Sequence, residues 1–242
     1  MKDAWGRTIE YVRLSLTDAC NFCCPYCRPA EITPQSQTQL LSVDEWMAVL
    51  GAFHHVGVKA VRLTGGEPLL YPHIEELLAR IKQTGWFEDI SMTTNGSLLA
   101  PRSAKLKELG LNRVNISLDS LDSDAFALCV GKADQLDSVL SGIQSAIDAG
   151  FTSVKINTVL SRHWTDDEVH DLLTYVETWP VIWRFIEYMP FQGDAFHGPT
   201  FDEWKAQLER VSGGILTENH DVYGFGPATY YNLPSGKEVG FI

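Results

Sequence analysis

Strand-like and helix-like stretches alternate along most of this chain, and that alternation limits its possible folds more than any other feature. Short runs rich in β-branched and aromatic residues, which are typical of strands, occur at 11–16, 58–63, 88–93, 112–118, 153–160 and 181–187. Helix start signals follow several of them, including Ser/Thr-x-x-Glu capping boxes at Ser42, Thr165 and Thr200. Repeated strand-then-helix units predict parallel strands with right-handed crossovers, in a doubly wound sheet or in a whole or partial barrel.

One face of the predicted sheet carries polar residues. Alternate positions along a strand share a face, and in each strand one such set is polar. The sets are Arg13, Ser15 and Thr17; Arg62 and Thr64; Ser91, Thr93 and Asn95; Asn115, Ser117 and Asp119; Lys155 and Asn157; and Arg184. The other set is apolar and suits a covering layer of helices, whereas parallel strands covered on both faces are apolar throughout. The polar face therefore predicts a ligand-holding lumen, with an open sheet that has one solvated face as the alternative.

Four of the five cysteines are crowded together directly after the first predicted strand. Cys20, Cys24 and Cys27 have the spacing C-x3-C-x2-C, and they lie at the carboxyl end of a strand, where barrel enzymes build their active sites. Three thiolates can hold a [4Fe–4S] cluster and leave one iron open for a ligand. A structural zinc site with Cys23 or His54 as the fourth ligand is the alternative, although no second ligand pair is evident.

Composition and charge narrow the partners and the compartment. A net charge of −12 and a pI near 4.9 disfavour a duplex nucleic-acid surface, which needs excess Lys and Arg, so we expect no nucleic-acid partner. No signal peptide and no run of about eighteen apolar residues is visible, which favours a cytoplasmic protein without a membrane partner. Crowded cysteines in a reducing compartment favour metal or redox chemistry, while the isolated Cys129 is expected to pack as a small hydrophobic residue.

The cysteine motif and the segments that follow it resemble a known family. C-x3-C-x2-C with Tyr26 before the last cysteine, and then "TGGEP" after the second strand, are the signature of radical S-adenosylmethionine (SAM) enzymes. Further segments resemble the GTP 3′,8-cyclase family of molybdenum cofactor biosynthesis: "YVRLSLTDACNF", "TTNGSLLA", "LNRVNISLDSLD", "VKINTVL", "RFIEYMP" and "GPATYY". The resemblance implies a partial (β/α)6 radical-SAM barrel of the TIM-like type, with the core domain over 1–199 and the start of a C-terminal extension over 200–242.

The resemblance also implies a reaction and its cofactors. In such enzymes SAM chelates the open iron of one [4Fe–4S] cluster, and an electron from the cluster cleaves SAM to methionine and a 5′-deoxyadenosyl radical. The GTP 3′,8-cyclases, which are lyases, use that radical to convert GTP to (8S)-3′,8-cyclo-7,8-dihydroguanosine 5′-triphosphate. We therefore expect GTP as the substrate and a flavodoxin or ferredoxin system as the reducing partner, and we allow for a homodimer.

Site residues carry over from the same resemblance, position by position. The cluster ligands are Cys20, Cys24 and Cys27. The SAM contacts are Tyr26, Gly65, Gly66, Glu67, Ser117 and Met189. The GTP contacts are Arg13, Arg62, Thr93 and Lys155, with Arg184 added because it follows the polar face while Glu187 lies opposite. For each basic residue, an internal ion pair with Asp119 or Glu187 is the alternative interpretation.

Some positions depart from the family pattern. Cys23 stands where an Arg is common, and Arg28 stands where the family usually has Met. The family's second cysteine set, which holds another [4Fe–4S] cluster against the GTP base, is not found in residues 1–242. Three interpretations stay open: part of an ordinary GTP 3′,8-cyclase, a divergent radical SAM enzyme acting on another substrate such as a peptide, and a non-catalytic metal-binding scaffold.

Overall fold

The six predicted strands are confirmed, and three short strands follow them. The computed structural model describes residues 4, 6, 8–27, 40–190, 198–221 and 226–242. Its strands are β1 Tyr11–Ser15, β2 Ala60–Thr64, β3 Asp89–Thr94, β4 Arg113–Ser117, β5 Ser153–Leu160, β6 Ile182–Glu187, β7 Thr217–Asn219, β8 Thr229–Asn232 and β9 Glu238–Phe241. The first six strands begin and end within two residues of the β-branched and aromatic runs that predict them.

Helices separate the first six strands from one another, as the alternation predicts. They are α1 Val43–His55, α2 Ile74–Thr84, α3 Ser103–Glu108, α4 Ser123–Val130, α5 Leu136–Asp148, α6 Asp166–Thr178 and α7 Phe201–Ser212, with a 3₁₀ turn over Pro68–Leu70. All three predicted capping boxes form, at the starts of α1, α6 and α7, so backbone donors that would otherwise be unpaired are satisfied there. In the described ranges, no helix is both long and apolar enough to cross a membrane.

The chain divides into two compact units. Unit 1 comprises the described parts of Met1–Asn21, Glu31–Ile116 and Asp137–Val154. It contains a parallel sheet in which β1 pairs with β2, β2 with β3, and β3 with β4. In this register Arg13 lies beside Arg62, and Arg62 lies beside Ser91, so these polar side chains form one row across the strands.

Unit 2 comprises the described parts of Phe22–Ala30, Ser117–Leu136 and Lys155–Ile242. Here β5 pairs in parallel with β6, and β6 pairs in parallel with β9, which continues into an antiparallel β9-β8-β7 meander. The backbone after β4 joins the same sheet, because the Leu118 amide donates to the Asn157 carbonyl at 2.9 Å. The predicted C-terminal extension therefore supplies strands to the sheet of unit 2.

The two faces of the strands differ as the sequence predicts. The apolar set is buried and includes Leu14, Val61, Leu63, Val114, Ile116 and Ile156. On the polar set, Arg62, Lys155 and Arg184 are also buried, while Arg13 and Ser15 are exposed. Burying a cation is costly unless polar or anionic groups surround it, so these buried charges are expected to serve a purpose beyond packing.

Candidate cofactor and substrate site

The "TGGEP" turn after β2 braces the backbone that leads to Cys20. The Gly66 amide donates to the Thr17 carbonyl at 2.6 Å, and the Glu67 amide donates to the Ala19 carbonyl at 2.8 Å. A Cβ atom on Gly65 would lie 2.5 Å from the Thr17 carbonyl oxygen, and one on Gly66 would lie 2.3 Å from that of Ala19. Both glycines are therefore required, because the backbone of the turn lies too close to Thr17 and Ala19 to allow a side chain. The turn thus fixes the course of the backbone that leads to Cys20.

Glu67 connects this turn to the end of β3 by hydrogen bonds. Its side chain is fully buried, and Oε1 accepts hydrogen bonds from the Leu69 amide at 3.0 Å and the Thr94 hydroxyl at 2.8 Å. The second oxygen, Oε2, accepts from the Asn95 amide at 2.8 Å. Burial raises the pKa of Glu67, and these hydrogen bonds lower it in part. Since the carboxylate is used by the chain itself, its predicted contact with SAM stays a prediction.

The side-chain amide of Asn95 lies beside the Cys20 sulfur and belongs to a small hydrogen-bond network. Asn95 Nδ2 donates to Asn21 Oδ1 at 2.8 Å and lies 3.9 Å from Cys20 Sγ. Asn21 Nδ2 in turn donates to the Ser97 hydroxyl at 2.8 Å. Donors around a thiolate orient it and stabilise its charge, so the network suits a sulfur that ligates a metal. The sequence carried a signal for it, because Asn95 ends the polar set of β3, but its partner Asn21 was not predicted.

Cys24 and Cys27 lie on a tight turn in unit 2. The Cys27 amide donates to the Cys24 carbonyl at 3.0 Å, and the Cys23 amide donates to the Val130 carbonyl at the end of α4 at 2.9 Å. Gly131 makes room for this loop, because a Cβ there would lie 2.4 Å from the Cys23 carbonyl oxygen. The backbone of Cys23 is thus an anchor for the loop that carries Cys24 and Cys27.

The five cysteines, all of which the structure describes, form no disulfide bond, and the thiols of the motif suit an iron–sulfur cluster in their chemistry. Cys20 and Cys24 are half-buried and Cys27 is exposed, whereas Cys129 is buried and packs as predicted. Among the residues that the structure describes, no three His, Cys, Asp or Glu side chains are gathered so that they could hold a metal ion. The assignment of the cluster ligands therefore depends on the motif and stays a prediction.

Asp119, which follows β4, holds Tyr26 of the cysteine loop. The Tyr26 hydroxyl donates to Asp119 Oδ2 at 2.5 Å, and Oδ1 of the same carboxylate accepts from the Val159 amide at 2.8 Å. Burial raises the pKa of Asp119 to about 6, although both hydrogen bonds lower it. Burial and the charge of Asp119 likewise raise the pKa of Tyr26 well above its ordinary value. The sequence places Asp119 on the polar face and offers it as an ion-pair partner, but its hydrogen bond to Tyr26 was not predicted.

In unit 1 the predicted GTP contacts cluster around Tyr11. The guanidinium carbons of Arg13 and Arg62 lie 5.9 and 5.3 Å from the centre of the Tyr11 ring. Arg13 Nε donates to the Tyr11 hydroxyl at 3.0 Å, and Arg62 Nε donates to the Ser91 hydroxyl at 3.3 Å. Thr93 lies on the same polar face and is half-buried. Tyr11 was not predicted as a site residue, although it precedes Arg13 at the same parity.

In unit 2 Lys155 and Arg184 are buried on the polar face. Lys155 Nζ donates to the Tyr230 hydroxyl at 3.2 Å, and the guanidinium of Arg184 donates twice to Asn157 Oδ1, at 2.9 and 2.7 Å. Glu187 is exposed and accepts from the Phe201 amide at 2.8 Å, which agrees with the parity argument that separated it from Arg184.

The remaining two predicted SAM contacts lie at the carboxyl ends of strands. Ser117 is the last residue of β4 and is half-buried. Met189 follows β6, and 78% of its surface is exposed, so the side chain does not serve as core packing.

Comparison with known proteins identifies the family. The sequence profile of the Radical SAM superfamily matches residues 14–176. GTP 3′,8-cyclase 2 of Pseudomonas aeruginosa is 42% identical over 99% of this chain and 73% of that protein. The GTP 3′,8-cyclase of Pelotomaculum thermopropionicum is 39% identical over 100% of this chain and 76% of that protein. The chain belongs to the radical SAM superfamily, in its GTP 3′,8-cyclase family.

Solved structures agree with the fold of that superfamily. Streptococcus suis SuiB bound to S-adenosylmethionine has a TM-score of 0.66 and 20% identity, over 85% of this chain and 46% of SuiB. Methylornithine synthase has a TM-score of 0.62 and 18% identity, over 85% of this chain and 62% of that protein. The chain thus spans less than two thirds of each of these enzymes. At such identities the likeness shows the fold alone, and it confirms the predicted α/β partial barrel.

Membership of the radical SAM superfamily implies the predicted cofactors, a [4Fe–4S] cluster and SAM. The residue assignments within the GTP 3′,8-cyclase family, and the division of the chain into 1–199 and 200–242, stay predictions. The structure shows which contacts support those residues. They are the buried carboxylates of Glu67 and Asp119, an amide network beside Cys20, and Gly65 and Gly66, which pack against the backbone that precedes Cys20.

Proposed function

We propose that this chain is a radical SAM GTP 3′,8-cyclase, a lyase of molybdenum cofactor biosynthesis that converts GTP to (8S)-3′,8-cyclo-7,8-dihydroguanosine 5′-triphosphate. The observation that carries the proposal is the 42% identity to the Pseudomonas aeruginosa GTP 3′,8-cyclase 2 over 99% of the chain. The proposed compartment is the cytoplasm, the proposed electron donor is a flavodoxin or ferredoxin system, and a homodimer is the proposed assembly.

The cofactors would be held by the cysteine loop and the strand ends. The [4Fe–4S] cluster, with Cys20, Cys24 and Cys27 as ligands, and SAM would supply one-electron cleavage of a sulfonium to a 5′-deoxyadenosyl radical. The "TGGEP" turn supports the approach to Cys20, and Asp119 orients Tyr26. Tyr26, Gly65, Gly66, Glu67, Ser117 and Met189 are proposed to bind SAM.

The triphosphate of GTP would be held by basic side chains of the polar face. Arg13, Arg62, Lys155 and Arg184 are the proposed basic contacts, and Thr93 is a further proposed contact of GTP. Guanidinium groups bind phosphate oxygens in a bidentate manner, and an ammonium adds a compact positive charge. The cations at Arg62, Lys155 and Arg184 are buried, so an anionic ligand would offset a desolvation cost that the fold already bears.

Isotope transfer from GTP tests the proposal. The protein is loaded anaerobically with iron and sulfide, reduced, and given SAM and GTP deuterated at C3′ of the ribose. Formation of a bond at C3′ requires removal of that hydrogen, so we expect deuterium in the 5′-deoxyadenosine that is formed. SAM cleavage that neither depends on GTP nor acquires its label would favour a different substrate, such as a peptide. A protein that binds no iron and sulfide would instead be a scaffold without radical chemistry.

A further inference from the structure

Tyr230 of β8 lies in one row with Gly240 of β9 and Arg184 of β6. The register pairs Tyr230 with Gly240, and Gly240 with Arg184. Arg184 is paired in turn with Asn157 of β5, whose side-chain oxygen accepts two hydrogen bonds from its guanidinium. Residues paired in register point to the same face of a sheet, so the Tyr230 ring and the Arg184 side chain share the face of unit 2 that carries Asn157.

Gly240 makes room for the Tyr230 ring to pack over its backbone. A Cβ atom at this position would lie 2.8 Å from Tyr230 Cε1 and 2.9 Å from Arg184 Cγ, closer than real side chains come. The backbone of Gly240 does not adopt the left-handed conformation that favours glycine. Glycine is therefore required here only because a larger side chain would collide with its neighbours. The glycine therefore provides the space in which the aromatic ring packs beside Arg184.

The Tyr230 ring, which packs over Gly240, also contacts Lys155. Lys155 Nζ donates to the Tyr230 hydroxyl at 3.2 Å and lies 5.5 Å from the ring centre. Both side chains are buried. A buried ammonium is destabilised by loss of water, and an aromatic face together with a hydroxyl acceptor offsets part of that cost. An ammonium has three donors, so one bond to Tyr230 fixes its position and is compatible with donation to an anion.

We propose that Tyr230 is a positioning residue that holds the Lys155 ammonium beside Arg184 for the phosphate groups of a nucleoside triphosphate, and that Gly240 exists to admit its ring. The inference rests on the proposed function, because it takes GTP as the ligand. It adds two residues, from β8 and β9, to the predicted GTP contacts of unit 2, which are Lys155 and Arg184. A side chain at position 240 would move the ring, and with it the ammonium.

Binding of GTP and of guanosine to the cluster-loaded protein, measured anaerobically by calorimetry, tests this role. Tyr230→Phe keeps the ring and removes the hydroxyl, so we expect GTP affinity to fall about 10-fold, the loss of one hydrogen bond to a charged group. Guanosine affinity should change less than about twofold, because the nucleoside has no phosphate. Gly240→Ala should give the same selective loss, since it displaces the ring.

Tyr231→Phe is the matched control. It removes a hydroxyl from the next residue in the chain. The centre of the Tyr231 ring lies 5.4 Å from the centre of the Phe241 ring, so this variant should not change GTP binding. Equal losses for GTP and guanosine in Tyr230→Phe, or no loss for either while the parent binds GTP, would overturn the role of Tyr230 and leave the proposed function intact. A parent protein that binds no GTP would overturn both. If Gly240→Ala fails to fold, Tyr230→Phe alone still decides.

Discussion

Glu67 and Asp119 are buried carboxylates that follow parallel strands, and they are used in different ways. Glu67 comes after β2 in unit 1 and is 0% exposed, while Asp119 comes after β4 in unit 2 and is 2% exposed. Glu67 accepts from two backbone amides and a hydroxyl, all near the ends of β2 and β3. Asp119 accepts from one backbone amide and from the hydroxyl of Tyr26, which lies between two cysteines of the motif.

Glu67 therefore stabilises the backbone of the fold, whereas Asp119 orients a side chain of the loop that carries Cys24 and Cys27. Removal of Glu67 should disturb the backbone around it, because two backbone amides, those of Leu69 and Asn95, would be left without this acceptor. Removal of Asp119 should release a side chain of the proposed cluster and SAM site, with a smaller effect on the core. Carboxylates that follow parallel strands can therefore stabilise the backbone in one unit and orient a proposed SAM contact, Tyr26, in the other.

Glu67→Gln should have the largest effect on stability. The amide nitrogen of Gln would face a backbone or hydroxyl donor, so we expect a loss of about 3 kcal/mol in the free energy of unfolding. Urea unfolding of the cluster-loaded protein measures it. Glu75→Gln is the control, because Glu75 is 46% exposed in its pair with Arg102 and should cost less than about 1 kcal/mol. Normal stability combined with lost SAM binding would show instead that Glu67 contacts SAM.

Asp119→Ala and Tyr26→Phe should have intermediate effects on SAM. Each breaks the same hydrogen bond, so each should weaken SAM binding about 10-fold while iron and sulfide content is retained. The double variant should be little worse than either single variant, because the two residues act through one contact. SAM titration followed by the spectrum of the reduced cluster measures all three. Losses that simply add would show that Asp119 and Tyr26 act independently.

The smallest effect is a pH dependence that Asp119 adds to stability. Burial raises its pKa from 3.8 to about 6, so between these values the folded protein binds the proton more tightly than the unfolded chain. This contribution is complete at low pH and is lost as the pH rises through about 6. From about pH 5.5 to about pH 8 the parent should lose about 1 kcal/mol of stability relative to Asp119→Asn. A difference between parent and variant that stays constant over this range would contradict the raised pKa.

The sequence predicts local features of this fold well, because their determinants lie close together in the chain. Each capping box joins residues three positions apart, as at Thr165 and Glu168, and all three form. The β-branched runs place the first six strands, and their parity identifies the buried cations Lys155 and Arg184. The GTP 3′,8-cyclase resemblance supplies the cysteine and SAM assignments, which periodicity alone does not provide.

The supporting contacts could not be predicted, because they join distant positions. Asp119 and Tyr26 are 93 residues apart, Lys155 and Tyr230 are 75 apart, and Glu67 and Asn95 are 28 apart. Which donor a buried carboxylate meets depends on the packing of strand ends, and no local pattern records it. The reason for Gly240 is likewise visible only once the neighbouring ring and Arg184 are in place.

SAM cleavage by cysteine variants tests the central claim most directly, namely that this chain is a radical SAM enzyme with Cys20, Cys24 and Cys27 as cluster ligands. Each protein is loaded anaerobically with iron and sulfide and reduced, and 5′-deoxyadenosine is then quantified. The parent and Cys23→Ala should form it, because the Cys23 thiol is exposed and its anchor is the backbone. Cys20→Ala, Cys24→Ala and Cys27→Ala should form none. A parent that binds iron and sulfide without cleaving SAM, or a Cys23→Ala protein that loses its iron, would contradict the account.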